Sequence, residues 1–283
     1  MVELRAKTKN KPTELKGCLR LYVQYGTVDR VMADQTSLID SLFKAGSHFG
    51  YSRSRRHPSA LKFLFGVKGG VEIFDLEKTA VQMEKAATFI RSLAADRKTL
   101  LFVSSKAESR EALQRTAESL NQPYVSGRFI GGTLTNWNEI KKRTDRLAEL
   151  SSLREKGELA KFTKLERLLI DREIEELELM FGGLKGLAKI PNAMLVIDPR
   201  KEKIAVEEAR KSKVPVIALL NSDCDASLIT YPVPGNDATM KSVKLFLEQV
   251  KLAWEDGARN APAPKDVSAE TTEAPAPAAE PAA

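Results

Sequence analysis

Metal and thiol chemistry have little to work with in this chain. Its 283 residues include two histidines and two cysteines. Cys18 and Cys224 stand far apart with no CxxC spacing, which excludes a disulfide framework and a zinc knuckle. So few soft ligands also argue against a zinc site supplied by the protein. Aromatic residues make up only 6%. No apolar run approaches the roughly 20 residues that span a membrane. The first residues carry charge with no apolar core behind it, unlike a secretory signal. These absences predict a cytosolic protein with no membrane partner.

Catalytic motifs are missing as well. No GxGxxG follows a strand, because Gly127, Gly131 and Gly132 are wrongly spaced. Gly66-Val67-Lys68-Gly69-Gly70 lacks the ending of a P-loop. His48 and His57 have no carboxylate close in sequence with which to form an acid–base pair. Asp198, at the end of a strand and before Pro199, stands where ligands of parallel-sheet folds bind, and a helix cap explains it as well. Asn221 to Asp225 reads as a turn. No catalytic residue, no metal and no cofactor is therefore expected, and the chain is not expected to be an enzyme.

What the chain has is positive charge. Its 45 Lys and Arg against 38 Asp and Glu give +7 and a pI near 9.3, which suggests a polyanionic partner. The excess is concentrated. Residues 44–68 carry Lys44, Arg53, Arg55, Arg56, Lys62 and Lys68 and not one acid. Within them, Arg53 to Pro58 has no apolar periodicity and is expected to be a loop. A charge run of this kind is either solvated surface or a contact for RNA. Phe49, Tyr51 and Phe63 supply the aromatic faces that favour the second reading.

At this length the chain can form one large domain or two. A basic arm is expected over 1–35 and a helix over about 37–45 with Leu38, Leu42 and Phe43 on one side. Short strands, Leu61 to Gly66 and Val71 to Leu76, flank a glycine turn. A helix over about 77–95 turns Val81, Ala87, Ile90 and Leu93 inward. Thr99 to Val103, Met194 to Ile197 and Val214 to Leu219 are continuous apolar runs, the mark of strands covered on both faces. Further strands fall at 123–126 and near 229–233, and helices at about 106–120, 202–211 and 237–254. Strand alternating with helix implies a parallel sheet wrapped by helices.

Two stretches depart from that alternation. Gly127 to Trp137 is a glycine turn between a strand and a long helix. Thr133 or Thr135 can cap the helix. Open N–H groups beside Arg128 make an anion site one reading, and a plain tight turn the other. From about 133 to 153 and from 163 to 181 the chain is highly charged with a narrow apolar stripe. Trp137, Ile140, Leu147 and Leu150 form one stripe, with a polar gap at Thr144. Ile170, Ile174, Leu177 and Phe181 form the other. Their spacing predicts an antiparallel coiled-coil hairpin that protrudes from the body. After 258 the chain is nearly all alanine and proline, and a disordered tail is expected.

Several segments together resemble the bacterial family of small-subunit ribosomal protein S2. They are Gly46 to Gly50, Phe74 to Thr79, Gly127 to Trp137, Lys161 to Glu166, Gly182 to Lys185, Ala193 to Asp198, Pro215 to Leu219, Asn221 to Asp223 and Pro234 to Asp237. The resemblance covers roughly 37–257. It implies a flavodoxin-like parallel sheet flanked by helices, with the helical hairpin as an insertion over 133–181. An α/β rRNA-binding domain would then comprise 36–132 and 182–257, between the arm and a tail at 258–283. It also implies a structural part of the small ribosomal subunit, bound to its rRNA between head and body. Neighbouring small-subunit proteins and the large mRNA-binding protein numbered one are the implied protein partners. The residues expected to meet RNA are His48, Arg53, Arg55, Arg56, His57, Lys106, Arg128, Asn136, Lys141 and Lys142. Tyr51, Arg56 and His57 depart from the family's usual His, Trp and Asn, so RNA or metal contacts there are not carried over. The alternative reading is a nucleotide-binding enzyme on the same sheet. A non-specific RNA chaperone is a third.

Overall fold

The computed structural model describes residues 37–187 and 189–260; the expected arm lies outside them, as does the tail beyond 260. Residues 37–45 form helix α1, which buries Leu42 and leaves Phe43 exposed, against the expectation of a shared face. Three short strands follow, β1 (Phe49–Ser52), β2 (Leu64–Lys68) and β3 (Val71–Phe74), paired antiparallel in the order β1-β3-β2. Lys68 pairs with Val71 across Gly69 and Gly70, both at positive φ. Two such residues in succession make the hairpin turn that matches strand twist. The first strand starts later than expected because Pro58–Phe63 winds into a 3-10 helix.

Helix α2 (Leu76–Ala95) is capped by Asp75, whose carboxylate accepts from the Glu77 and Lys78 N–H groups. Its buried face runs Ala80, Met83, Ala87, Ile90 and Ala94, spaced three and four. Val81 was expected among them but is 48% exposed. One residue past Ala80 lies about 100° further round the helix, off that face.

The main sheet comprises β4 (Leu100–Val103), β5 (Tyr124–Val125), β6 (Ala193–Ile197), β7 (Val216–Leu220) and β8 (Tyr231–Pro234). All neighbours are parallel, in the order β5-β4-β6-β7-β8. Every residue of β4, β6 and β7 is buried, as their unbroken apolar runs require. Successive side chains enter different cores. Leu100, Phe102, Leu195 and Ile217 pack with α2, α3 (Ala107–Ser119) and α7 (Met240–Arg259). Leu101, Val103, Val196 and Ala218 pack on the opposite face with α6 (Lys203–Lys211), Phe129 and Leu134. Each leucine, valine, isoleucine or phenylalanine among them contributes about 1.5–3 kcal/mol by leaving water. Helix α7 continues to Arg259, so the first residues assigned to the tail are helical.

Helices α4 (Trp137–Glu155) and α5 (Lys164–Phe181) form the hairpin between β5 and β6. Their ion pairs Arg146–Glu173 and Arg154–Asp171 run in opposite chain directions, as in an antiparallel pair. The turn between them uses Gly157 at φ 72°, and α5 opens on a capping box of Thr163 and Glu166. The polar gap at Thr144 is buried but satisfied, its hydroxyl donating to the Lys141 carbonyl. At the base Trp137, Ile140 and Phe181 join the core of the sheet. Gly183 fixes that junction: a Cβ there would stand 2.2 Å from the Tyr124 carbonyl oxygen.

The chain leaves β4 toward β5 on one side and returns as β6 on the other. The two connections diverge between β4 and β6. In parallel sheets of this kind, that divergence opens a crevice at the carboxyl ends of the strands.

Candidate nucleic-acid interface

The basic loop sits on the antiparallel sheet. Arg53–Arg55 is a single 3-10 turn, and the Arg53 N–H donates to the Gly70 carbonyl. Arg53 and Arg55 are exposed, and neither has a carboxylate partner among the described residues. The Arg55 guanidinium lies 5.9 Å from the Tyr51 ring centroid, a cation–π distance that orients its fork. Arg56 behaves otherwise. Its Nη1 meets the fully buried Glu72 carboxylate at 3.1 Å. Arg56, also expected to meet RNA, thus places part of its charge within the protein, where it holds β3 to the loop.

The two histidines of this region, both only partly buried, each make contacts within the protein. His48 stacks against Phe43 at 4.7 Å between centroids and meets the tilted Phe49 ring at 4.0 Å, and burial lowers its pKa. His57 caps the following 3-10 helix, its Nδ1 accepting from the Ser59 N–H. The fold also brings Asp225 to 3.8 Å from that nitrogen, a carboxylate that proximity in sequence did not reveal.

The glycine turn is an anion site whose anion belongs to the protein. Gly132 takes φ 94°, and the N–H groups of Gly132, Leu134 and Thr135 point at one carboxylate, that of Glu208 on α6. The distances are 2.5, 3.0 and 3.4 Å. The expectation of open N–H groups is corrected on this point. Neither threonine caps α4: the Thr133 hydroxyl donates back to the Ile130 carbonyl, and the N-cap position is Asn136. Glu208 was missed because it lies 76 positions downstream of Gly132.

Lys106, also expected to meet RNA, is withdrawn from the surface. Its ammonium is buried between Asp198 at 2.8 Å and Asp237 at 2.6 Å, beyond the carboxyl ends of the central strands. Burial alone would lower its pKa, but the two carboxylates outweigh burial and the net shift is upward. Asn221 donates to the other Asp237 oxygen at 2.8 Å. Asp198 also accepts from the Arg200 and Lys201 N–H groups, which is the capping role its position predicted. A lysine held in this way has no charge left for a phosphate. Its position just past the apolar run Leu100–Val103, a buried strand, was the available signal.

The remaining expected residues lie around the hairpin base. Arg128, Asn136 and Lys141 are exposed, and none makes a side-chain ion pair or hydrogen bond among the described residues. Lys142 pairs with Glu139 at 2.6 Å on the surface, a contact that water largely screens. The structure thus gathers Arg53 and Arg55 on the antiparallel sheet and Arg128, Asn136 and Lys141 near the start of α4. Among the described residues no group of histidines, cysteines and acids could hold a metal, and no helix is long and apolar enough to cross a membrane.

Comparison with known proteins agrees with this architecture. A family model described as Ribosomal protein S2 matches residues 42–257. The small ribosomal subunit protein uS2 of Dictyoglomus thermophilum is 38% identical over 220 residues, 78% of this chain and 89% of that protein. The uS2 protein of Helicobacter acinonychis is 39% identical over 216 residues, 76% of this chain and 88% of its own. That of Helicobacter pylori strain Shi470 is 39% identical over 216 residues, 76% and 82% of the two chains.

Proposed function

The chain belongs to the ribosomal protein S2 family, and from that premise we propose that it binds small-subunit rRNA between head and body through its exposed arginines. The family is a structural component of the ribosome and not an enzyme. The observation that carries the RNA contact is the contrast within the basic loop. Arg56 is paired with Glu72, while Arg53 and Arg55, on the same turn, stay exposed without a carboxylate partner among the described residues. Exposed arginines recognise phosphate through their planar fork, and Tyr51 beside Arg55 offers a stacking face. Arg128, Asn136 and Lys141 extend the basic surface to the hairpin base. Neighbouring small-subunit proteins, with the large mRNA-binding protein numbered one as a candidate, are the protein partners in this reading.

The nucleotide-enzyme reading is weaker for a physical reason. Along the carboxyl edge of the sheet Lys106, Asp198, Asp237 and Asn221 pair with one another, which occupies the polar groups that part of the edge would offer a nucleotide. Strand β1 closes it further, the Tyr51 N–H donating to the Ser222 hydroxyl at 3.0 Å.

The test is co-sedimentation of the full chain with small subunits across a salt series. Arg53→Ala with Arg55→Ala is expected to weaken binding and to flatten the salt dependence by about two counterions. The melting temperature should not move, since both side chains are exposed. Unchanged affinity and slope would make the loop plain solvated surface.

A further inference from the structure

We infer that the crevice between β4 and β6 is a second phosphate seat, in which Arg110, Arg128 and Lys201 hold a backbone phosphate of the bound RNA. The inference rests on the rRNA reading above and adds a separate place of contact. It starts from topology: β5 and β6 lie on opposite sides of β4, so the loops after β4 and β6 part and leave a cleft between them. A cavity of about 340 Å³ occupies that cleft. Ser105, after β4, and Lys201 and Glu202, after β6, form its sides. Phe129 and Ile204 give it an apolar wall.

Three cations reach this cavity from three elements: Arg110 from α3, Arg128 from the glycine turn and Lys201 from the loop before α6. All three are exposed, and no side-chain ion pair or hydrogen bond holds any of them among the described residues. Their neighbours differ. Arg200 is paired with Asp223 at 2.7 Å, and Lys106 with two aspartates. Like charges converging on one concave site repel each other unless an anion joins them.

One carboxylate lines the cavity, that of Glu202. It is turned to the protein, accepting from the Ser105 N–H at 2.8 Å, and burial raises its pKa. Three cations against one carboxylate leave the cleft positive. The adjoining anion seat of the glycine turn is already filled by Glu208, so an incoming phosphate meets side chains here rather than backbone N–H groups. Arginine forks and a lysine point charge suit a phosphodiester, which offers two free oxygens.

The same chemistry can come from a free phosphate, so the test separates the two sources. Arg110→Gln, Arg128→Gln and Lys201→Gln are combined in the full chain, and small-subunit binding is measured across a salt series beside the Arg53→Ala, Arg55→Ala chain. Inorganic phosphate and a nucleoside monophosphate are titrated into the wild-type and triple-variant chains by calorimetry. The expected result is a loss of subunit affinity of at least about tenfold and, because one phosphate is released, a salt slope reduced by about one counterion. The loss should add to that of the loop variant, with an unchanged melting temperature and no calorimetric binding of either small molecule. A triple variant with wild-type affinity and slope, while the loop variant loses binding, would overturn the crevice and leave the rRNA reading standing. Calorimetric binding of free phosphate that the triple variant loses, with subunit binding intact, would overturn it in favour of a small ligand. Failure of the wild-type chain to bind subunits would overturn both readings together.

Discussion

Glu208→Ala is the sharpest probe of how the glycine turn is held. The carboxylate is buried and accepts from three backbone N–H groups, at 2.5, 3.0 and 3.4 Å. Removing it strands donors that have no other partner. The Thr135 N–H contributes little, because its bond is long and its residue is exposed to water. Gly132 and Leu134 carry the effect. A hydrogen bond to a charged group is worth about 1.5–3 kcal/mol net. Two such bonds at the lower end of that range give about 3 kcal/mol. For a domain of this size that is a fall in melting temperature of about 6–12 °C. A typical stability of about 5–15 kcal/mol leaves the variant folded. Glu208→Gln retains one acceptor oxygen but turns an amide donor toward the second N–H, so it should cost about 2 kcal/mol. Urea denaturation at neutral pH measures both, with the slope expected to stay constant and the midpoint to move. A Glu208→Ala chain within about 0.5 kcal/mol of wild type would refute the reasoning. The turn would then support itself, and its N–H groups would be open to an external anion after all.

Lys106→Met should cost about 3–5 kcal/mol at neutral pH, because it leaves buried carboxylates without their counter-charge. The wild-type pair has the opposite pH limit. Its Lys106 pKa is raised, so its contribution is full below the ordinary lysine value of 10.5 and is lost only as pH rises through the folded value. In the variant, Asp237 loses an ammonium that opposed its upward shift by burial. Its folded pKa then stands further above the ordinary 3.8, and the deficit should shrink as pH falls through it. Equal deficits at pH 7 and pH 5 in denaturant titrations would count against this account. Cys224 is buried, and its thiol pKa is pushed up by burial and by Asp198 and Asp223. In a Cys18→Ser chain it should resist alkylation until the fold opens, with a rate that follows denaturant-induced unfolding. Fast labelling of the native chain would show that the carboxyl edge of the sheet opens locally.

The elements of this protein were legible along the chain because each depends on neighbours in sequence. Leu100 to Val103 and Ala193 to Ile197 announce doubly covered strands by their unbroken apolar runs. The stripes from Trp137 and to Phe181 announce paired helices. The motif resemblance then identified the sheet those elements build. Errors of orientation were local: Val81 and Phe43 are apolar, yet the helix geometry turns both outward. The fate of each charge was a different matter. Arg53, Arg55 and Arg56 look alike in sequence, yet only Arg56 meets Glu72, which β3 carries beneath it. Lys106 and Arg128 were equivalent candidates until strand order set Asp237, 131 positions away, against the first. The same order left Arg128 at a cleft with Arg110 and Lys201. Periodicity records which side of an element is apolar. An ion pair needs a carboxylate within about 4 Å, and strand order, loop direction and backbone turns such as the one at Gly132 decide which carboxylate arrives there.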